Sequence, residues 1–263
     1  VRAEGRSQAG QRAYAKAHRD GSHRDWSPRP LRPDRIDRAA QLGCDQTTIK
    51  AHRKCPNGED GPDGRVSVIS VSHLLECWKN RGERIRLLTG HFPVRTVELL
   101  DAPFVTVTVL RDPVERTLSF LRHQAERHQR GAGPDTPLWE IYEDPFRFEA
   151  MIQNHMTRML SLSPDEFGPG DGVLTQVPYT PERLEMAKEA LAGLDAFGLQ
   201  SRHDEFCDEL GARWGLTVGP PTRSNTTEAT PPPAGLVERI REDNALDVEL
   251  YEYAVGLYEE RHR

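Results

Sequence analysis

Residues 104–110, Phe-Val-Thr-Val-Thr-Val-Leu, run straight into Arg111-Asp112-Pro113, and this junction constrains the fold more than any other stretch. The run is β-branched and bounded by Pro103 and Pro113, so it reads as a strand. A helix must begin at once. Asp112 suits the N-cap and Pro113 the first helical position. Leu118, Leu121 and Ala125 then continue an apolar stripe at helical spacing. Arg111 therefore leaves the carboxyl end of a strand at the mouth of a helix, which is where open α/β sheets bind ligands. Its guanidinium offers a rigid fork of donors for a phosphate group. Ser119 follows eight residues later, about two helical turns at 3.6 residues per turn, and can bring a hydroxyl to the same ligand. On spacing alone, a capped helix with solvated arginines is the more ordinary account.

The rest of the chain fits the same class. Strands are expected at Val66–Val71, Ile85–Leu88 and Phe197–Leu199. Helices are expected at His73–Asn80, Pro145–Ser161, Pro181–Gly193, His203–Trp214 and Leu236–Arg261. Gly131–Pro137 and Ser163–Gly172 read as loops. Strands alternating with helices predict an α/β layer with a largely parallel sheet. No apolar run approaches the ~18 residues of a membrane span, and no apolar leader opens the chain. A net charge of -6 argues against a general nucleic-acid binder. These features place the protein in the cytoplasm.

Charge and apolar residues divide unevenly. Residues 1–65 hold 14 of the 35 basic and 9 of the 41 acidic residues, a net of +5 against -11 for the remainder. Eight of the 17 hydrophobic residues in that segment are alanine. Such a segment buries too little apolar surface to offset an ordering cost of roughly 1–2 kcal/mol per residue. The expected organisation is a low-complexity segment over 1–65 and a folded domain over 66–263. Cys44, His52 and Cys55 lack the paired spacing of a zinc site, so no metal is expected. Asn225-Thr226-Thr227 matches a glycosylation sequon that a cytoplasmic protein would not use. Thr230–Pro233 reads as a stiff connector.

The full string from Arg111 to Ser119 (Arg-Asp-Pro-Val-Glu-Arg-Thr-Leu-Ser) resembles the 3′-phosphate-binding motif of sulfotransferases that use 3′-phosphoadenosine 5′-phosphosulfate. It looks most like the carbohydrate branch that includes heparan-sulfate 2-O-sulfotransferases and their bacterial relatives. Thr89-Gly90-His91-Phe92-Pro93, Asn154–Leu160, Phe197–Arg202, Arg223-Ser224-Asn225 and Ile240–Tyr251 resemble further family segments in the family's order.

The resemblance implies a P-loop-like three-layer fold with a central, mainly parallel sheet and a helix-rich C-terminal half. It implies 3′-phosphoadenosine 5′-phosphosulfate as co-substrate, with Arg111 and Ser119 on the 3′-phosphate. His91 is implied as the base, and a carbohydrate hydroxyl as acceptor. Asn154, Thr157 and Arg158 would reach acceptor or nucleotide, or fasten their helix to the sheet. Arg116 and Arg122 would add positive field. Asn244 and Asp247 read as packing and capping residues.

One family element is absent before Val66: the strand and Lys-containing glycine loop that cradle the 5′-phosphosulfate. Gly43–Thr48 echoes its end but lacks the Lys and carries Asp45. Residues 1–65 are therefore read as standing in place of the true first strand and loop. The other readings are a truncated or inactive member, and an interaction protein with a basic N-terminal arm.

Overall fold

A computed structural model describes residues 65–68, 71–82, 87–100, 102–130, 136–167, 175–216 and 231–263. All of them fall within one unit, Ala39–Arg263. The segment 1–64, with Cys44, His52 and Cys55, lies outside the described residues, as does the sequon at 225–227.

In chain order the elements begin with β1 (Arg65–Val68), α1 (Val71–Arg81) and β2 (Leu87–Gly90). A 3₁₀ turn, Val94–Leu99, leads to β3 (Val107–Leu110), α2 (Pro113–Arg130) and α3 (Leu138–Tyr142). Next come a single turn at Pro145–Arg147, a π-turn at Phe148–Ile152 and α4 (His155–Ser161). After the 3₁₀ turn Pro164–Glu166 come α5 (Pro181–Ala192), β4 (Ala196–Leu199), α6 (His203–Trp214), α7 (Leu236–Asp243) and α8 (Ala245–Arg261).

The molecule is a mixed α/β structure that is mostly helical. Among the described residues its strands pair in parallel, as expected, but as two separate pairs. β1 pairs with β2 from Arg65↔Leu87 to Val68↔Gly90, and β3 with β4 from Val107↔Ala196 to Leu110↔Leu199. The predicted strand 104–110 is ordered as a strand only from Val107, because that is where β4 supplies a partner. Before it, the Thr106 amide turns aside to the Asp195 carboxylate at 2.8 Å.

Two of the four buried clusters among the described residues hold most of the helices. Leu110, Phe197 and Leu199 of the β3–β4 pair pack with Leu184 and Leu191 of α5 and Leu250 and Tyr258 of α8. Val114, Leu118 and Leu121 of α2 pack with Ile141 of α3 and Leu236 and Ile240 of α7. Gly198 is required where β4 meets α6, since a Cβ there would run into the Phe206 ring. α6 ends at Gly215, whose φ of 66° suits glycine.

Two expected helices are broken. The helix predicted over 145–161 becomes the π-turn and α4, separated at Asn154, which adopts a left-handed φ of 41°. The helix predicted over 236–261 breaks at Asn244, where the Asn244 amide side chain donates to the Ile240 carbonyl at 2.8 Å. Neither break carries a glycine or proline. Tertiary hydrogen bonds, described below, make both.

Within the expected loop 163–172, Glu166 accepts from the Ser163 amide and hydroxyl and pairs with Arg183 of α5 at 2.6 Å. Bonding to Arg183 first, and to Ser163 after it, holds the Glu166 carboxyl down to about 2. Its folded value lies below the unfolded one, so this stabilisation is full above the ordinary carboxylate range and fades as pH falls toward 2. Glu166→Gln is expected to cost about 1–2 kcal/mol at neutral pH, allowing for partial exposure. The cost should vanish near pH 2. Urea melts at pH 7, 4 and 2.5 check this; a penalty that does not shrink with acid contradicts it.

Candidate functional site

The junction after β3 forms as its sequence dictates. Asp112 caps α2 by accepting from the Glu115 amide at 2.9 Å, and Pro113 is buried as the first helical residue. The Arg111 guanidinium is 28% exposed and only loosely engaged. Its Nη2 lies 3.5 Å from Glu115, itself 58% exposed, and its Nε is buried without a hydrogen-bond partner. Ser119 is half-buried on α2, and His91 is exposed in the bend that follows β2.

Arg116, one turn into α2, reaches across to the π-turn. Its Nη1 donates to the Met151 carbonyl at 3.0 Å. Arg158 on α4 donates to the Glu149 carbonyl at 2.6 Å and to the Ala150 carbonyl. Two guanidiniums thus satisfy three successive carbonyls. These are groups that a helical turn leaves without partners at its end. Burial pulls Arg116 down to about 10, with Arg158 and Arg111 acting in the same direction and Asp247 opposing. It remains a cation at neutral pH. Arg158 is wholly enclosed. Tyr179 seals the same corner by donating to the Gln153 carbonyl at 2.7 Å.

Asn154, Asn244 and Asp247 tie two helix starts to each other. Asp247 of α8 accepts from the Met156 and Thr157 amides at 3.0 and 2.7 Å, capping α4. Asn154 accepts from the Leu246 and Asp247 amides at 3.1 and 3.2 Å, capping α8. Its own amide donates to Asn244 at 2.8 Å. Each helix is capped by the other's side chain, and Asn154 makes its contacts to α8 from a left-handed conformation. Burial raises the Asp247 carboxyl, and the two amide bonds and Arg116 oppose the rise.

His155, the first residue of α4, is 7% exposed. Its Nδ1 lies 3.1 Å from Arg158 Nη2 and 3.2 Å from the Ala150 carbonyl. Burial, then the charges of Arg116, Arg158 and His91, push it well below the ordinary histidine range.

Of the expected site residues, Arg111 and Arg158 thus join one positive cluster with Arg116, with Asp247 as its buried counter-charge, while His91 acts on His155. Ser119 lies further along α2. Asn154 and the Thr157 amide spend their hydrogen bonds on α8. Arg158 spends both terminal nitrogens on the π-turn and His155. Sequence reasoning missed His155 and the clamping role of Arg116. The only available signal was His155 beside Asn154 in a segment already marked. Among the described residues there is no cluster of three metal-ligating side chains, and no helix is long and apolar enough to cross a membrane.

No protein-family model matches the chain. Over an alignment of 190 residues, covering 61% of this chain, it is 30% identical to heparan-sulfate 6-O-sulfotransferase 2 of Homo sapiens. The same values hold for heparan-sulfate 6-O-sulfotransferase 2 of Mus musculus. The match spans 30% of the length of each relative. The similarity is distant; the relatives are named as 6-O enzymes, whereas the sequence motifs resemble the 2-O branch.

Proposed function

We propose that this protein is a sulfotransferase that moves a sulfuryl group from 3′-phosphoadenosine 5′-phosphosulfate to a hydroxyl of a carbohydrate. The observation that carries this reading is Arg111: a cation at the carboxyl end of a parallel strand, with its Nε unpartnered, inside a cluster of positive groups. The distant similarity to heparan-sulfate 6-O-sulfotransferases supports it. The residues fit the nucleotide's 3′ end: Arg111 supplies a fork of donors and Ser119 a hydroxyl further along α2.

The co-substrate supplies an activated sulfuryl group. The acceptor oxygen bonds to sulfur as the bond to the 5′-phosphate oxygen breaks, and 3′-phosphoadenosine 5′-phosphate leaves. His91 takes the acceptor's proton. It is exposed, as a group meeting a second substrate must be. Arg116 and Arg158 add fixed positive potential to that of Arg111, the kind of contribution a protein mainly makes to such displacements.

In this reading the four strands are parts of one parallel sheet. β2 and β3 each have an unpaired edge among the described strands, and a strand bearing the 5′ loop between them would join the pairs. A second reading is a member that holds the nucleotide's 3′ end without turnover.

Transfer of ³⁵S from the labelled co-substrate to heparan-type oligosaccharides separates the two readings. In an active preparation, His91→Asn should lower turnover by about 10²- to 10⁴-fold while leaving affinity for 3′-phosphoadenosine 5′-phosphate unchanged. Turnover near the parent's rate would remove His91 from the mechanism.

A further inference from the structure

We propose that Cys207 and His203 of α6 form a nucleophilic thiol site, in which His203 takes the thiol proton and Cys207 exchanges with small-molecule disulfides. The inference does not depend on the nucleotide reading above.

The two residues are four apart on one helix, so they share a face, one turn from each other. The Cys207 sulfur lies 3.4 Å from Nδ1 of His203 and 3.7 Å from Nε2. One ring nitrogen lacks a proton in either neutral tautomer. Both nitrogens are near the sulfur, so a base is within its reach whichever tautomer the ring adopts. The His203 side chain is 25% exposed and Cys207 is half-buried. The sulfur is thus held against its base without being sealed from a small reagent.

The neighbouring charges leave this pair to itself. Asp204 places Oδ1 3.8 Å from Nδ1 and favours a charged ring, though at 92% exposure its pull is screened. Arg202 pairs with Glu205 at 2.7 Å and lies over the Tyr258 ring. Glu209 pairs with Arg213 at 2.7 Å and lies 3.5 Å from His262 at the end of α8. β4, on which α6 packs, is Ala-Phe-Gly-Leu and carries no charge. Cys77 supplies the contrast. It is 5% exposed and packs with Leu74 and Leu100, an apolar setting that disfavours a thiolate.

The exchange balances without any further reagent. The Cys207 proton passes to a His203 nitrogen, and the thiolate attacks one sulfur of the disulfide. A new S–S bond forms at Cys207 as the old one breaks, and the departing thiolate takes the proton back from His203. The small disulfide is the oxidant. An excess of the small thiol reverses the step.

The test treats the full chain with oxidised glutathione at neutral pH and follows the mixed disulfide at each cysteine by mass spectrometry of its peptide. An ordinary thiol is only a few per cent thiolate there. Proton transfer to His203 therefore leaves room for about a tenfold gain, allowing for the lower nucleophilicity of a more acidic thiol. Cys207 should react about tenfold faster in the folded chain than in the urea-unfolded chain, whereas Cys77 should react more slowly when folded. His203→Ala separates a base from a cover. Loss of a base slows Cys207 about tenfold, while loss of a mere cover quickens it. His203→Phe, which keeps a ring beside the sulfur but no base, should be slow as well. A folded Cys207 rate at or below the unfolded one overturns the proposal, with no variant needed. So does a His203→Ala rate equal to or above the parent's.

Discussion

Asp247→Ala is expected to lower the unfolding free energy by about 3–5 kcal/mol, the range for removing one partner from a buried charged group. The carboxylate is 1% exposed and caps two amides of α4. It is also the buried counter-charge of Arg116 and Arg158. Its loss leaves two amides without their acceptor and two guanidiniums without their buried counter-charge. For a domain of this size about 1 kcal/mol corresponds to roughly 2–4 °C, so the melting temperature should fall by roughly 10 °C. Asp247→Asn keeps one acceptor oxygen and should lose less. Thermal and urea melts of both variants measure the difference. A loss below about 1 kcal/mol for the alanine variant would mean that the reciprocal caps contribute little.

Arg111→Ala is expected to weaken binding of 3′-phosphoadenosine 5′-phosphate by about a hundredfold while leaving stability within ~0.5 kcal/mol. The two effects separate because Arg111 does little for the fold. Its ion pair with Glu115 spans 3.5 Å at an exposed position, a kind worth about 0–1 kcal/mol. Toward a phosphate the same group would form paired charge-assisted bonds. Arg111→Lys keeps the charge but not the fork, so it should recover only part of the loss. Calorimetric titration beside a thermal melt reads both quantities. Equal affinity in parent and alanine variant would place the phosphate elsewhere.

The junction around Arg111 was legible because its signals are local: a β-branched run, a capping aspartate and a proline at the first helical position. Helices α5 and α6 were legible for the same reason, from Thr180-Pro181 and from Gly215. The π-turn was not. Phe148–Ile152 contains ordinary helix-compatible residues, and the turn exists because Arg116 and Arg158 take up its carbonyls from elsewhere in the fold. The breaks at Asn154 and Asn244 were hidden likewise, since each depends on a partner about 90 residues away. In the candidate site, the motif singled out Arg111 and His91. It also marked Arg158, but sequence spacing carries no information on whether a guanidinium faces a ligand or a carbonyl. His155 went unread because a single histidine in an apolar helix is usually packing.

The reciprocal caps also set an order of events during synthesis. The amides of Met156 and Thr157 wait for a carboxylate 91 and 90 residues downstream. Until residue 247 has left the ribosome, α4 has no cap, and the α8 amides that Asn154 receives do not yet exist. The corner holding Arg158 and His155 is thus completed by nearly the last segment of this sequence to emerge, and chains stopped short of α8 would hold it open to holdase chaperones and proteases.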